Sequence, residues 1–309
     1  MEILPSTLLV VDGKKVVFIE PNMSVVKARQ IASDYGVSDN RFTELKDGDF
    51  LIPGFVDTHI HAPQYVNVGL GLSYALLEWL EAYTFPAEKR FSDMEFARDV
   101  YTKVVKRTLS HGTTSASYFA TIHLEPSLLL AEIMAKYGQR GFVGKVNMDQ
   151  NSPDDYCETT QQSLADTITF IERMQEQYSN DGLITPCITP RFCMSCTEGL
   201  MADLAKLSDK YGVPIQTHMS ENRKEVACVK EMFHLKEYVE VYEKAGLLKD
   251  CTILAHCVYS GPEELDIVKR YNCGIAHCPN SNLSLISGGM DAQQVIGTGI
   301  KLGLGNVGN

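Results

Sequence analysis

Eight short runs rich in β-branched and apolar residues recur along this 309-residue chain, at 50–61, 113–118, 142–148, 184–189, 213–218, 252–256, 274–277 and 300–304. Between them lie segments with helical spacing, at about 93–110, 127–137, 159–178, 197–211, 230–245 and 262–271. Strands that alternate with helices pair in parallel, and eight such units predict an α/β fold of the (β/α)8, TIM-like barrel type, with its chemistry at the C-terminal ends of the strands. Ahead of the barrel, 7–11 and 15–19 flank Asp12-Gly13 and read as a hairpin. A small β domain is therefore expected over residues 1–52 and the barrel over 53–309.

The most informative strand end is Pro53-Gly-Phe-Val-Asp-Thr-His59-Ile-His61. Successive side chains in a strand alternate faces, so His59 and His61 share one face with Asp57 while Ile60 points the other way. Two imidazoles delivered to one point are metal-ligand geometry, although such a pair can also hydrogen-bond in a core. Company favours the metal. His218, His256 and His277 close three further strand runs, so five of the eight histidines fall where barrel chemistry occurs. His111, His123 and His234 fall in helices or loops and read as solvated. Three nitrogens suit Zn2+ in an open site that keeps a water, whose pKa falls toward neutrality; iron or manganese tolerate a similar set.

Glu221, three residues after His218, is placed to pass that water's proton to a leaving group. Alternatively, Ser220-Glu-Asn-Arg-Lys-Glu-Val opens a helix and Glu221 is its N-terminal charge. Thr189-Pro-Arg191-Phe192 sets a guanidinium beside an aromatic ring. That fork of donors matches the O6/N7 edge of guanine; a surface ion pair is the other reading. Trp79, the single tryptophan, fits either a pocket or the core by its spacing. His123-Leu-Glu125 with Cys193-Met-Ser-Cys196 imitates the His-x-Glu and Cys-x-x-Cys of one zinc-deaminase architecture. The gap between those segments spans more than one βα unit, and Phe192 stands where that motif has proline.

With 39 acidic against 28 basic residues the net charge is -11, which argues against holding nucleic-acid phosphates or an anionic membrane surface. The first residues lack a basic, apolar leader, and no run approaches the roughly 18 apolar residues of a membrane span. Nine cysteines, several within apolar runs, read as free thiols of a reducing compartment, so a cytoplasmic protein is expected.

Taken together, Pro-Gly-Phe-Val-Asp-Thr-His59-Ile-His61-Ala-Pro-Gln64-Tyr, Leu-Leu-Glu-Trp79-Leu, Tyr-Thr-Phe-Pro-Ala-Glu88, Thr-Pro-Arg191-Phe192, Ser-Glu221-Asn-Arg and Ala-His277-Cys-Pro-Asn280-Ser-Asn-Leu resemble the guanine deaminase family of the amidohydrolase superfamily. The resemblance covers about residues 50 to 305. It implies one zinc ion on His59, His61 and His218, proton transfer by Glu221, and orientation of the attacking water by His256. It further implies that Gln64, Arg191 and Phe192 hold the purine, that Trp79 lines the pocket, and that guanine is converted to xanthine and ammonia by a homodimer.

Two departures accompany the resemblance. In the family the eighth strand continues as Gly-Thr-Asp, the Asp completing the metal site, whereas here Asn306 and Val307 follow Gly305. The family's subsequent helices and C-terminal β segments also have no counterpart, so a barrel truncated after its eighth strand is expected. The rival expectation is a non-catalytic chain that keeps the purine pocket or the dimer surface.

Overall fold

The computed structural model describes residues 2–180 and 182–307; Gly308 and Asn309, the last two residues assigned to the barrel by sequence, lie outside the described residues. Two compact units divide the chain, Met1–Pro53 and Gly54–Asn309. In the first, β1 (Leu8–Asp12) and β2 (Lys15–Glu20) pair antiparallel, with Asp12 opposite Lys15. The hairpin therefore turns at Gly13-Lys14, one residue later than the sequence pattern indicates, and Gly13 adopts the positive φ of 56° that this turn requires. Helix α1 (Val25–Asp34) follows, capped by the Ser24 side chain and burying Ala28 and Ala32.

In the second unit β3 (Phe55–His61) leads into the short helices α2 (Leu76–Trp79) and α3 (Phe85–Lys89) and then into α4 (Met94–Ser110). After these come β4 (Thr113–Phe119), α5 (Leu124–Tyr137), β5 (Arg140–Gly144), β6 (Val146–Asn147), α6 (Thr160–Tyr178), β7 (Ile184–Pro186) and β8 (Thr189–Pro190). The remainder is α7 (Glu198–Tyr211), β9 (Ile215–Met219), α8 (Arg223–Phe233), α9 (Val239–Ala245), β10 (Thr252–His256), α10 (Pro262–Arg270), β11 (Gly274–His277), α11 (Pro279–Ser284), α12 (Ala292–Thr298) and β12 (Lys301–Leu304).

All strand pairs in this unit are parallel. One sheet runs β3-β4-β5-β7, another runs β9-β10-β11-β12, and β6 pairs with β8. An Ile188–Ile215 bridge links the halves on one side. On the other, His61 N donates to Val307 O at 2.7 Å and Val307 N to His59 O at 2.9 Å, so the segment after β12 pairs with β3 and closes the wall. The (β/α)8 barrel is thus complete as a ring of eight staves, two of which are each broken into two short strands. Breaks fall at Lys145 and at Cys187-Ile188, where the sequence pattern reads as continuous.

Apolar residues three and four apart give each long helix a buried stripe: Val100 and Val104 on α4, Leu130 and Met134 on α5, Phe170 and Met174 on α6, Leu200 and Leu204 on α7. These pack in one cluster with Ile60, Val143 and Ile215 of the staves. Full burial of such side chains contributes about 1.5–3 kcal/mol each. Phe55, Val56 and Leu304 are more than half exposed. The expected helix over 230–245 is instead α8 and α9. His234 takes a left-handed conformation that ends α8, and Glu240 accepts from the Lys236 and Glu237 amides ahead of α9.

Candidate metal centre and adjoining pocket

Four imidazoles meet at the C-terminal ends of three staves. His59 and His61 leave β3 on its inner face, His218 comes from β9 and His256 from β10, and all four are buried. One ring nitrogen from each of His59, His61 and His218 lies within 4.8 Å of the others. His61 Nε2 and His218 Nε2 are 2.9 Å apart, while His59 Nδ1, His59 Nε2 and His61 Nδ1 have no hydrogen-bond partner among the described residues. Burial, reinforced by the neighbouring imidazoles, holds all three rings well below their ordinary pKa, so each is neutral. Buried polar atoms without partners are costly, and three neutral imidazoles converging on one point are a donor set that a borderline-soft cation fits.

The rings are held from behind. His218 Nδ1 lies 2.6 Å from Arg191 O, which turns Nε2 toward the centre. Phe119, at the end of β4, meets the edge of His59 at 4.8 Å and stacks on His61 at 4.6 Å. His256 Nδ1 is 2.7 Å from Asn282 Oδ1, and its Nε2 is 3.4 Å from Glu221 Oε2. Burial pushes Glu221 up to about 8, against the pull of Arg191, and lowers His256 to about 4. Ser220, His256, Cys257 and Val307 all have φ between 50° and 74°, a conformation unfavourable for side chains other than glycine. Such strain clusters at sites that need an otherwise inaccessible geometry.

Glu221 is not the N-terminal charge of a helix. Asn222 caps α8, and the capping box is completed by Glu225, whose carboxylate accepts from the Glu221 and Asn222 amides at 2.8 and 3.0 Å. Glu221 precedes that cap and lines the cavity above the histidines.

Gln64, Trp79, Arg191 and Phe192 line the same cavity, with Leu76, Leu285 and Val307. Trp79 both faces the cavity and packs in an apolar cluster with Phe119, Tyr156 and Phe192, so its two sequence readings coincide. Its Nε1 donates to Leu70 O at 2.9 Å. Arg191 does form an ion pair, but a buried one: Glu88 accepts from Nη1 at 2.5 Å and from Nη2 at 3.0 Å.

The structure also places the other residues singled out in the sequence. Asp57 does not join the ligand cluster; its Oδ1 accepts from the His59 and Asn306 amides and ties β3 to the segment after β12. His277 closes β11 without lining the cavity. His123 is half-buried rather than solvated: it stands at the N-terminal boundary of α5 with its ring 5.8 Å from that of Tyr156. Cys193 and Cys196 are buried thiols, and among the described residues no metal-ligand group joins them to His123 and Glu125. Glu88, Asn282, Phe119 and Glu225 received no role from sequence, since their partners are distant in the chain or come from loop geometry.

The family model described as "Amidohydrolase family" matches residues 50–306. A guanine deaminase of Dictyostelium discoideum is 45% identical over 313 residues, covering 99% of this chain and 69% of that protein. The human guanine deaminase is 46% identical, covering 99% of this chain and 67% of that one. The crystal structure of a guanine deaminase from C. acetobutylicum with bound guanine superposes with a TM-score of 0.90 at 38% identity, over 98% of this chain and 70% of that one. The chain thus spans about two thirds of the length of these relatives.

Proposed function

The chain belongs to the amidohydrolase family, and from that premise we propose that it hydrolyses guanine to xanthine and ammonia, with a zinc ion held by His59, His61 and His218. One observation carries the reading: Arg191, Phe192 and Trp79 line the same cavity as His61 and His218, and Glu221 lines it too, its carboxylate within 4.8 Å of ring nitrogens of His218 and His256.

A bound zinc ion supplies Lewis acidity, making a water nucleophilic near neutral pH, and its charge opposes the rise in the Glu221 pKa. The remaining work falls to side chains. Arg191 and Gln64 offer donors to the acceptor edge of the purine, and Phe192 and Trp79 offer aromatic surface to its ring, which orients C2 toward the histidines. Glu221 takes a proton from the attacking water and delivers it to the departing amino group; His256, neutral and oriented by Asn282, is a hydrogen-bond partner for that water.

The protein we envisage is a cytoplasmic homodimer. Nine free cysteines support the compartment, and the family resemblance supports the dimer, which light scattering at twice the chain mass would register.

The test is ammonia release from guanine, adenine and cytosine by zinc-loaded protein, with Glu221→Gln alongside. Expected is release from guanine alone, reduced about 10²- to 10⁴-fold by the substitution at unchanged zinc content. Guanine binding with no ammonia release would instead establish the non-catalytic reading.

A further inference from the structure

Glu88 is buried beside the pocket, yet the reaction outlined above gives it no part. It projects from α3 with no exposure to solvent, and Arg191 is 2% exposed. The carboxylate takes both terminal nitrogens of Arg191 and, on Oε2, the Tyr156 hydroxyl at 2.9 Å. Oε1 lies 3.9 Å from His61 Nδ1, beyond hydrogen-bond reach. The Phe85 ring lies 5.1 Å beneath the guanidinium.

A guanidinium carries five N–H donors, and the fork to Glu88 occupies one on each terminal nitrogen. Its other donors remain, while its charge is balanced. An arginine buried without that carboxylate would lose its directly bonded counter-charge, leaving only the more distant Glu221, and would favour anionic ligands. With Glu88 behind it, Arg191 acts as a fixed array of donors of no net charge.

We propose that Glu88 is a positioning residue that balances the Arg191 charge and so sets the pocket's preference for a neutral purine with an acceptor edge over a purine anion. The inference rests on the guanine reading above. It has a consequence for product release. Guanine is neutral near neutral pH, whereas xanthine readily loses a proton there, so an Arg191 whose charge is already balanced by Glu88 holds the neutral substrate by its donors and adds no attraction that retains the product anion. Tyr156 contributes by satisfying a further lone pair, which keeps the carboxylate from rotating off the guanidinium.

The test is binding of hypoxanthine and xanthine to zinc-loaded protein, at a pH where xanthine is largely ionised and hypoxanthine is not. Hypoxanthine shares the O6/N7 edge of guanine and has no amino group to lose. Quenching of Trp79, the only tryptophan and a pocket wall, reports binding without turnover. Wild type is expected to bind hypoxanthine more tightly than xanthine. Glu88→Gln reverses the order, tightening xanthine about tenfold or more while weakening hypoxanthine. Glu88→Asp keeps the charge but not the fork, so hypoxanthine weakens and xanthine stays near its wild-type value. Equal shifts for both purines in folded Glu88→Gln, or no shift, overturn the proposal and leave Glu88 a structural residue.

Should Glu88→Gln not fold, Tyr156→Phe carries the test: hypoxanthine weakens several-fold with xanthine unchanged, and a parallel change in both overturns the idea. Wild type that binds neither purine overturns the guanine reading and this inference with it. Wild type that binds hypoxanthine, with variants that do not discriminate, overturns this inference alone.

Discussion

Val307 is the residue most at odds with the chemistry around it. It lines the cavity beside His61, exchanges backbone hydrogen bonds with β3, and holds a β-branched side chain at φ 64°. Aspartate tolerates that conformation better than valine and adds a proton acceptor at the same wall. Val307→Asp is therefore expected to raise kcat on guanine by about 10²-fold or more at constant zinc content, as an added acid–base group does. An unchanged kcat in folded, zinc-bound variant would remove this position from the account. Asn306 is no substitute, because its side chain is exposed. At this scale legibility followed local pattern. His59 and His61 were readable because a strand's period of two fixes their common face, and Glu221 because it lies three residues past His218. Glu88 was not readable: its partner Arg191 is 103 residues away, and only the barrel's closure brings them together.

Among the elements, the helix from α2 to α3 and the start of α8 decide how the pocket is held. Pro86 has no N–H with which to continue an α-helical ladder, and ahead of it Leu80–Thr84 forms a π turn in which Phe85 N donates to Leu80 O. Trp79, which lines the cavity, and Glu88, the partner of Arg191, flank that irregular turn. In α8, burial, with Glu221 adding to it, raises Glu225 to about 7 from an ordinary 4.5. The folded chain keeps this proton where the unfolded chain has lost it. The contribution to stability is thus fully present below 4.5 and is lost as pH rises to 7. Glu225→Gln, which preserves an acceptor for the two amides, is expected to gain stability over wild type across that window, as read by urea unfolding of metal-free protein at several pH values. A difference that stays flat across the window contradicts the assignment. Neither feature was visible beforehand. A π turn leaves no signature in apolar periodicity, and the spacing around 230–245 hid the left-handed His234 that separates α8 from α9.

For the whole molecule, the strand–helix alternation carried most of the architecture, because a parallel sheet of eight staves has few ways to close. What alternation could not tell was how the wall joins. That depends on the residues after β12, where Gly305 packs so closely on β3 that an added Cβ would lie 2.9 Å from the Cβ of His59. The same closure stations the segment carrying Val307 against β3, the strand that carries His59 and His61, so fold and candidate site share one seam. Ligand binding to the folded state alone adds stability, about 2.7 kcal/mol at a hundredfold excess over Kd, so zinc is expected to tighten this seam as well as to support turnover. The most direct test of the account is a zinc titration of chelator-treated protein, following xanthine formation from guanine. The account predicts that the rate climbs with zinc and levels at one ion per chain, and that the paired substitution His59→Ala and His61→Ala abolishes the response. Full turnover in the metal-free protein, or one zinc bound per chain with no xanthine formed, would contradict it.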